Sequence, residues 1–496
     1  MSQAAEIPAS TTVPEKTILG QPVGLATLFF TEMWERFTYY GMRAILILFM
    51  VAAVSKGGLG IDDHTASAIY GLYIAGTYLL APLGGWIADR LIGAQRAVTS
   101  GGLFIMVGNA LLALGQTQLF FVGLILIVFG VGLLKPNISS MVGTLYPEGG
   151  ARRDAGFSIF YMGINIGSTL GSLLVPLWAD WFGWRWGFAL PAFGMLLGLV
   201  QFAWTRHFLG RAGVSPSDPR GGSWLPVIGF VVAVSVLVAL AVEGVLRIDA
   251  LQVATGASWA MALLAAAYFI YLLFFAGLTA AERQRSIVMI AIFVAAVMFW
   301  AGYEQTGASF NLFAERYTER HVLGWEMPAG VLQAVNPILI VIFAPLFAVL
   351  WLFLDKRQRD PSALTKFGTG LLLLGAGFLV MFFASQYVLA GQKVLPTWLI
   401  ATYALHTWGE LCLSPVGLSS MTKLAPARLS GQVMGIWFLA AATGNNLAGL
   451  LSSEYDASNL ASLPALFMKI FWWGVICGGL MLLLAPLLKR LMAGVK

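Results

Sequence analysis

Charge is scarce in this sequence. Of 496 residues, 10% are Asp, Glu, Lys or Arg and 59% are hydrophobic, against roughly a quarter charged in an ordinary soluble domain. So few charges cannot clothe a globule of this size, which excludes a soluble protein. Cysteine is nearly absent. Cys412 and Cys477 each lie inside an apolar stretch, where a thiol packs as a small hydrophobe, so disulfide scaffolds, zinc sites and iron–sulfur clusters are not expected. The period-2 alternation of an outer-membrane barrel is missing too. Met1 to Gly24 is polar, carries Glu6 and Glu15, and lacks a basic segment followed by a short apolar core, so no cleaved signal peptide is expected. The net charge of +6 comes from basic residues scattered singly and in pairs between hydrophobic runs. No nucleic-acid surface is expected from that pattern; it marks topology.

What is present is a series of fourteen apolar stretches, each long enough for the roughly 20 residues that a bilayer-spanning helix needs. They predict helices near 24–53, 66–88, 97–115, 118–143, 155–178, 187–208, 223–245, 258–278, 286–313, 330–354, 366–386, 395–420, 430–452 and 463–490. An even number puts both termini on one side. Of the 29 Lys and Arg residues, only Lys56, Arg185, Arg247, Arg316, Arg320 and Lys393 then fall in the opposite loops. Lys469 can snorkel from near the outer end of the last helix, and Arg36, Arg43 and Lys135 lie within spans. The remaining nineteen flank the terminal side, which the positive-inside rule makes the cytoplasm. The expected organisation is an all-α integral membrane protein with a cytoplasmic tail 1–23, a six-helix bundle 24–210, a linker and inserted helix pair 211–285, a second six-helix bundle 286–490 and a tail 491–496.

The loop after the second span reads Gly84-Gly85-Trp86-Ile87-Ala88-Asp89-Arg90, and the corresponding loop of the second half reads Asp355-Lys356-Arg357. Acidic–basic loops at equivalent places are what a parallel repeat of two halves produces. Gly84, Gly85, Asp89 and Arg90 are the candidate hinge; simple anchoring of helix ends is the alternative.

Ionisable groups inside a bilayer cost about 2.5–3.5 kcal/mol on insertion scales, so each is a functional candidate. The first span carries Glu32, Glu35, Arg36, Tyr39, Tyr40 and Arg43, which at 100° per residue share an arc of about 140°. One polar stripe faces one cavity. Two carboxylates beside one guanidinium cannot both be fully compensated, so one of them is expected to take up a proton reversibly. A buried structural ion cluster is the competing reading. Lys135 opens Lys135-Pro136-Asn137 behind Gly130 and Gly132, and a proline beside a cation in a span fits a helix that lines a cavity. Asn165 serves equally well as an orienting amide or as helix-packing glue.

The second half supplies Trp300 and Glu304, Asn336-Pro337, Glu410 with Ser414-Pro415, and Trp437. Tyr78, Trp300 and Trp437 could wall a site or simply pack. His406 is expected to be packed and hydrogen-bonded. Cations Arg36 and Lys135 in one half face anions Glu304 and Glu410 in the other, so a cavity between the halves would be dipolar. Its complement is a zwitterion several ångströms long.

Glu32-Met33-Trp34-Glu35-Arg36-Phe37-Thr38-Tyr39-Tyr40-Gly41 resembles the E-x-x-E-R-F-x-Y-Y-G signature of the proton-dependent oligopeptide transporters of the major facilitator superfamily. The G-G-x-x-A-D-R loop, Lys135-Pro136-Asn137, Phe157 to Ser168, Asn336-Pro337 and Gly409-Glu410-Leu411-Cys412-Leu413-Ser414-Pro415 resemble the same family, as does a helix pair inserted after the sixth span in bacterial members. Thr169 departs slightly from the apolar residue usual at the close of the Asn165 motif.

The resemblance implies a major facilitator fold of fourteen spans in a bacterial inner membrane, importing di- and tripeptides with protons and working as a monomer, with no cofactor beyond the coupling proton. It implies proton coupling by Glu32, Glu35, Arg36, Lys135 and Glu304. It further implies a peptide carboxylate held by Arg36, Lys135 and Asn165, an amino terminus held by Asn336 and Glu410, and walls of Tyr39, Tyr40, Tyr78, Trp300 and Trp437. The alternatives are an importer of nitrate or another anion, a non-transporting peptide sensor on the same fold, and a membrane-embedded enzyme. The last would need a nucleophile–base pair or metal ligands at suitable spacing, which the sequence does not display.

Overall fold

A computed structural model describes residues 17–18, 20–146, 150–216, 223–242, 249–322, 324–359, 361–455 and 459–492. Most of the expected N-terminal tail, the C-terminal tail from 493, and the topology charges Lys16, Arg220, Arg247 and Lys496 lie outside the described residues. Sixteen α-helices are described: α1 Val23–Val51, α2 Asp63–Leu79, α3 Ala81–Ile87, α4 Ala94–Ala113, α5 Thr117–Thr144, α6 Gly150–Phe182, α7 Trp184–Thr205, α8 Leu225–Val242, α9 Ala250–Ile270, α10 Ala280–Tyr303, α11 Ser309–Tyr317, α12 Val335–Lys356, α13 Ala363–Leu389, α14 Thr397–Leu424, α15 Ser430–Ser452 and α16 Ser462–Leu491.

They make fourteen spans, because two spans expected to be continuous are each broken in two. The span over 66–88 breaks at Leu80, where Pro82 enters the first turn of α3 and, lacking an N–H, cannot extend the hydrogen bonds of α2. The span over 286–313 breaks after Tyr303 into a 3₁₀ turn, Glu304–Gly307, and Ala308 then leaves helical geometry before α11 begins. That span also starts earlier than hydropathy suggests. Thr279 accepts from the Glu282 N–H at 3.3 Å while Glu282 accepts from the Thr279 N–H at 2.9 Å, a capping box that satisfies two orphan donors. Eleven spans are long and apolar enough to cross a bilayer by composition alone; α1 is set apart by the four charges it carries.

In the first bundle α1 packs on α6 and α7, and α4 on α5 and α7; in the second, α13 packs on α14 and α16, and α10 on α15 and α16. Small residues explain the closest of these joins. A Cβ on Gly167 of α6 would strike the Met33 carbonyl, and one on Gly171 the Phe37 carbonyl, so a stripe at helical spacing lets α1 and α6 touch backbone to backbone. Gly84 plays the same part for α3 and α5: its missing side chain admits the Gly132 carbonyl. That oxygen is four residues before Pro136 and so has lost its usual helical donor. Asn137 Nδ2 then ties the crossing by donating to Leu133 O at 2.7 Å and Gly84 O at 3.1 Å. Gly84 is thus a contact point between helices, with Gly85 half-buried near the Pro136 ring and Asp89 and Arg90 in the turn that ends this span.

The bundles meet where α2 packs on α15 and where α6 packs on α12 and the 3₁₀ turn Ala329–Ala334 before it. Gly71 and Gly449 make the α2–α15 crossing, each so near that a Cβ would lie 2.6–2.7 Å from the other's Cα. The inserted α9 lies outside both bundles, against α2 and α15 together.

Candidate functional site

The α1 stripe is buried as a unit. Arg36 places Nε 2.9 Å from Glu32 Oε1 and forms a second ion pair with Glu35, while its guanidinium lies 5.4 Å from the centre of the Tyr39 ring. Glu35 is fully buried, and its Oε1, like Oε2 of Glu32, has no hydrogen-bond donor among the described residues. Buried carboxylate oxygens without donors are costly. Lys135, half-buried on α5, lies within electrostatic reach of Glu32, Glu35 and Arg36 and rests its Nζ 3.8 Å from the centre of the Tyr78 ring. Two acids, two cations and two tyrosines therefore share one buried patch on the first bundle.

Two turns beyond Arg36 the same stripe reaches the second bundle. Arg43 Nη2 lies 2.9 Å from Glu304 Oε2, both side chains buried, and Arg43 Nε donates to Tyr70 Oη at 2.7 Å. Tyr40 packs its ring 5.7 Å from the Arg43 guanidinium. Further contacts at this end join the same halves. Arg316 forms a two-pronged pair with Asp63 at 2.6 and 2.7 Å, Asn311 Nδ2 donates to Ala44 O at 2.9 Å, and His64 Nδ1 meets the Ser453 carbonyl. These contacts close the end of the molecule that holds the C-terminus of α1.

In the second bundle Glu410 of α14 accepts from Tyr303 Oη at 2.7 Å and from Asn336 Nδ2 at 3.3 Å, both on Oε2; Asn336 also donates to Thr407 Oγ1 at 2.9 Å. Tyr303 is stacked on Phe299 and set edge-on to Trp300, at 5.6 and 5.3 Å between ring centres. Glu410 lies within electrostatic reach of Tyr40, Tyr78 and Tyr161 of the first bundle, so the acid faces across the interface. Trp437 is buried and crosses over Gly417 of α14. Asn165 donates one amide N–H to the Tyr161 carbonyl of its own helix at 2.9 Å, which leaves its second N–H and its oxygen to offer. His406 is buried, with Nε2 3.2 Å from Leu374 O and its ring packed against Phe310 and Phe378, which also touch each other.

Most of the residues singled out from sequence thus converge on the bundle interface: Glu32, Glu35, Arg36, Tyr39, Tyr40, Tyr78 and Lys135 from one side, Trp300, Asn336 and Glu410 from the other. Glu304 is drawn to Arg43 and joins the bundles. Sequence reasoning missed Tyr303, Thr407, Tyr70 and the Asp63–Arg316 pair. Tyr303 carried a signal, standing three residues after Trp300 and beside Glu304. For Asp63 and Arg316, separated by 253 positions, no local pattern exists.

A many-span helical protein in two joined bundles, with opposed charges buried at the join, has the architecture of a major facilitator transporter. The family model described as the POT family matches residues 95–473, and the chain belongs to that family. It is 43% identical over 96% of both chains to "Peptide transporter YePEPT" of Yersinia enterocolitica, and 35% identical to the "Di-/tripeptide transporter" of Lactococcus lactis over 97% of this chain and 99% of that one. Among solved structures, a variant of a peptide transporter POT in complex with alafosfalin is 42% identical and superposes with a TM-score of 0.88 over 97% of this chain and 98% of that one.

Proposed function

We propose that this chain imports di- and tripeptides together with protons by alternating access, in a bacterial cytoplasmic membrane with both termini inside. One observation carries the reading. Glu410 is held by two donors on a single oxygen and faces the first bundle, whose buried patch contains Arg36 and Lys135. A free ammonium suits the second oxygen of Glu410, and a carboxylate suits the cations opposite. That is the zwitterion of a short peptide. Tyr40 and Tyr78 line the space between, Tyr39 braces Arg36, and Trp300 braces Tyr303. Trp437 supplies further apolar wall, and Asn165 offers its second amide N–H to the peptide carboxylate.

The proton has a place in the same cluster. Arg36 serves Glu32 and Glu35 together, so the unpartnered oxygen of Glu35 is satisfied either by a proton or by Lys135 swinging from Tyr78. When Lys135 turns toward a peptide carboxylate, Glu35 takes the proton. Glu304 exchanges its bond to Arg43 for a proton when the closed end opens. One proton moving through 100 mV supplies about 2.3 kcal/mol, equivalent to roughly 50-fold accumulation of a neutral substrate. Both halves of the site come from one chain, which supports function as a monomer.

Uptake of labelled dialanine into proteoliposomes, with and without an imposed inside-alkaline pH gradient, tests this. Accumulation only with the gradient is expected. Gradient-independent equilibration would remove the proton from the mechanism, and binding without uptake would indicate a sensor.

A further inference from the structure

A second charged site lies far from the bundle interface, at the end of the molecule where α4 begins and α7 ends. There Gln95, Arg96, Thr99, Arg206 and Val214 line a half-open cavity of about 240 Å³. It is built by the chain rather than left by loose packing. The segment after α7 turns back over the start of α4, where Gln95 N–H donates to Gly213 O at 2.8 Å and Gln95 Nε2 to Ala212 O at 2.7 Å. A Cβ on Gly93 would strike the Val214 carbonyl, so the linker backbone forms one fixed wall. Thr99 Oγ1 closes another by donating to Gln95 O at 2.9 Å.

The exposed side chains of Arg96 and Arg206 make no hydrogen bond or ion pair among the described residues, although they border the same cavity. His207 and Arg211 follow close behind in sequence. Two guanidinium forks at one cavity complement a phosphate, whose oxygens accept in pairs. The surface that leads away from them is apolar. From Arg96 the α4 face continues at helical spacing through Leu103 and Val107, and from Arg206 the α7 face continues through Ala203 and Leu196, all exposed. Met195 and Leu199 of α7 close over Gly102 of α4, so the seam between the two helices runs beside these stripes. The site is amphiphilic in the same sense as a phospholipid, with the anion at the interface and the chains along the seam.

We propose that this cavity binds the phosphate of an anionic phospholipid in the leaflet on the terminal side of the membrane. Basic pockets between membrane helices on that side bind anionic headgroups, with each Arg near the surface worth about fivefold in affinity. Occupancy would brace the linker against the first bundle, because the lipid touches α4, α7 and Val214 together.

Native mass spectrometry of the full chain, released from nanodiscs of phosphatidylglycerol and phosphatidylcholine in equal parts, tests the site. The parent protein should retain phosphatidylglycerol preferentially. The Arg96→Gln, Arg206→Gln double variant should lose that preference by roughly 30-fold, while a control, Lys356→Gln, Arg357→Gln, with the same charge removed elsewhere on that side, should keep it. Should the double variant not yield folded protein, Arg96→Lys and Arg206→Lys singly preserve charge but not the fork, and each should weaken retention severalfold. Equal loss in the control, or no loss in the lysine variants, would reduce the cavity to generic surface charge. Displacement by millimolar inorganic phosphate would show a free-phosphate site and overturn the assignment to lipid.

Discussion

Arg43 and Glu304 form a buried ion pair, 2.9 Å between Nη2 and Oε2, that ties the end of the polar stripe in α1 to the break between α10 and α11. The pair belongs to neither bundle alone. Removing one partner of a buried pair commonly costs about 3–5 kcal/mol, much of it from stranding the other charge.

Loss of that tie should loosen the closed end. A cysteine pair placed at 64 and 453, where His64 meets the Ser453 carbonyl, should cross-link readily in the parent and several times less in Glu304→Gln. Glu304→Gln, which strands a guanidinium that cannot shed its charge, should lower thermal stability more than Arg43→Gln, whose stranded carboxyl can take up a proton. Unchanged cross-linking in both would assign the closure to Asp63–Arg316 instead.

Proton coupling should be separable from folding. Glu35→Gln and Lys135→Ala should abolish gradient-driven uptake, forfeiting the roughly 50-fold accumulation one proton can support, yet elute as single species in detergent. Glu32→Gln should behave similarly. Aggregation of all three would favour a structural ion cluster.

Glu410→Gln keeps shape and hydrogen bonding but deletes the charge facing the peptide amine. It should weaken free-amine dipeptides at least 100-fold, the cautious end of the cost of breaking a buried pair. An N-acetylated dipeptide should bind the parent poorly and lose far less on mutation. Equal losses, measured by calorimetry as a double-mutant cycle, would mean that Glu410 supports the site without touching the amine.

The inserted pair should be dispensable for binding. Deleting it and joining Gly210 to Thr279, so that the cap on α10 survives, should lower yield more than it lowers transport per folded molecule. A well-folded deletion that no longer binds dipeptide would place the pair within the site.

The architecture was legible because membrane spans are written locally, as runs of about 20 apolar residues, and the α1 stripe because helical periodicity places its charges on one face. Pairings across the chain were not. Nothing near Glu304 indicates Arg43, 261 positions away in sequence, and the donors on Glu410 come from α10 and α12, which only the fold brings together. The two breaks were half-visible. Pro82 was present in the sequence, but hydropathy averages across a proline. The turn at Glu304 is marked in sequence only by Gly307, where a Cβ would strike Tyr70 Oη, and is held by Thr306 Oγ1 donating to Tyr303 O and by Gln305 Nε2 donating to Ala448 O.

The inserted α9 touches both bundles but is fastened to one. Near one end Asn446 of α15 donates to Ala254 O and Ser258 Oγ, at 2.6 and 2.7 Å; at the other, Arg428 caps the trailing carbonyls of Ala276 and Gly277, at 2.7 and 3.0 Å. Both clamps belong to the second bundle, whereas α2 offers packing. In a rocking cycle α9 is therefore a passenger of the second bundle, and its boundary with α2 is a bearing surface. Among the described residues, the insertion widens the track along which the two halves slide without adding a hydrogen bond from α9 to the first bundle that must break at each turnover.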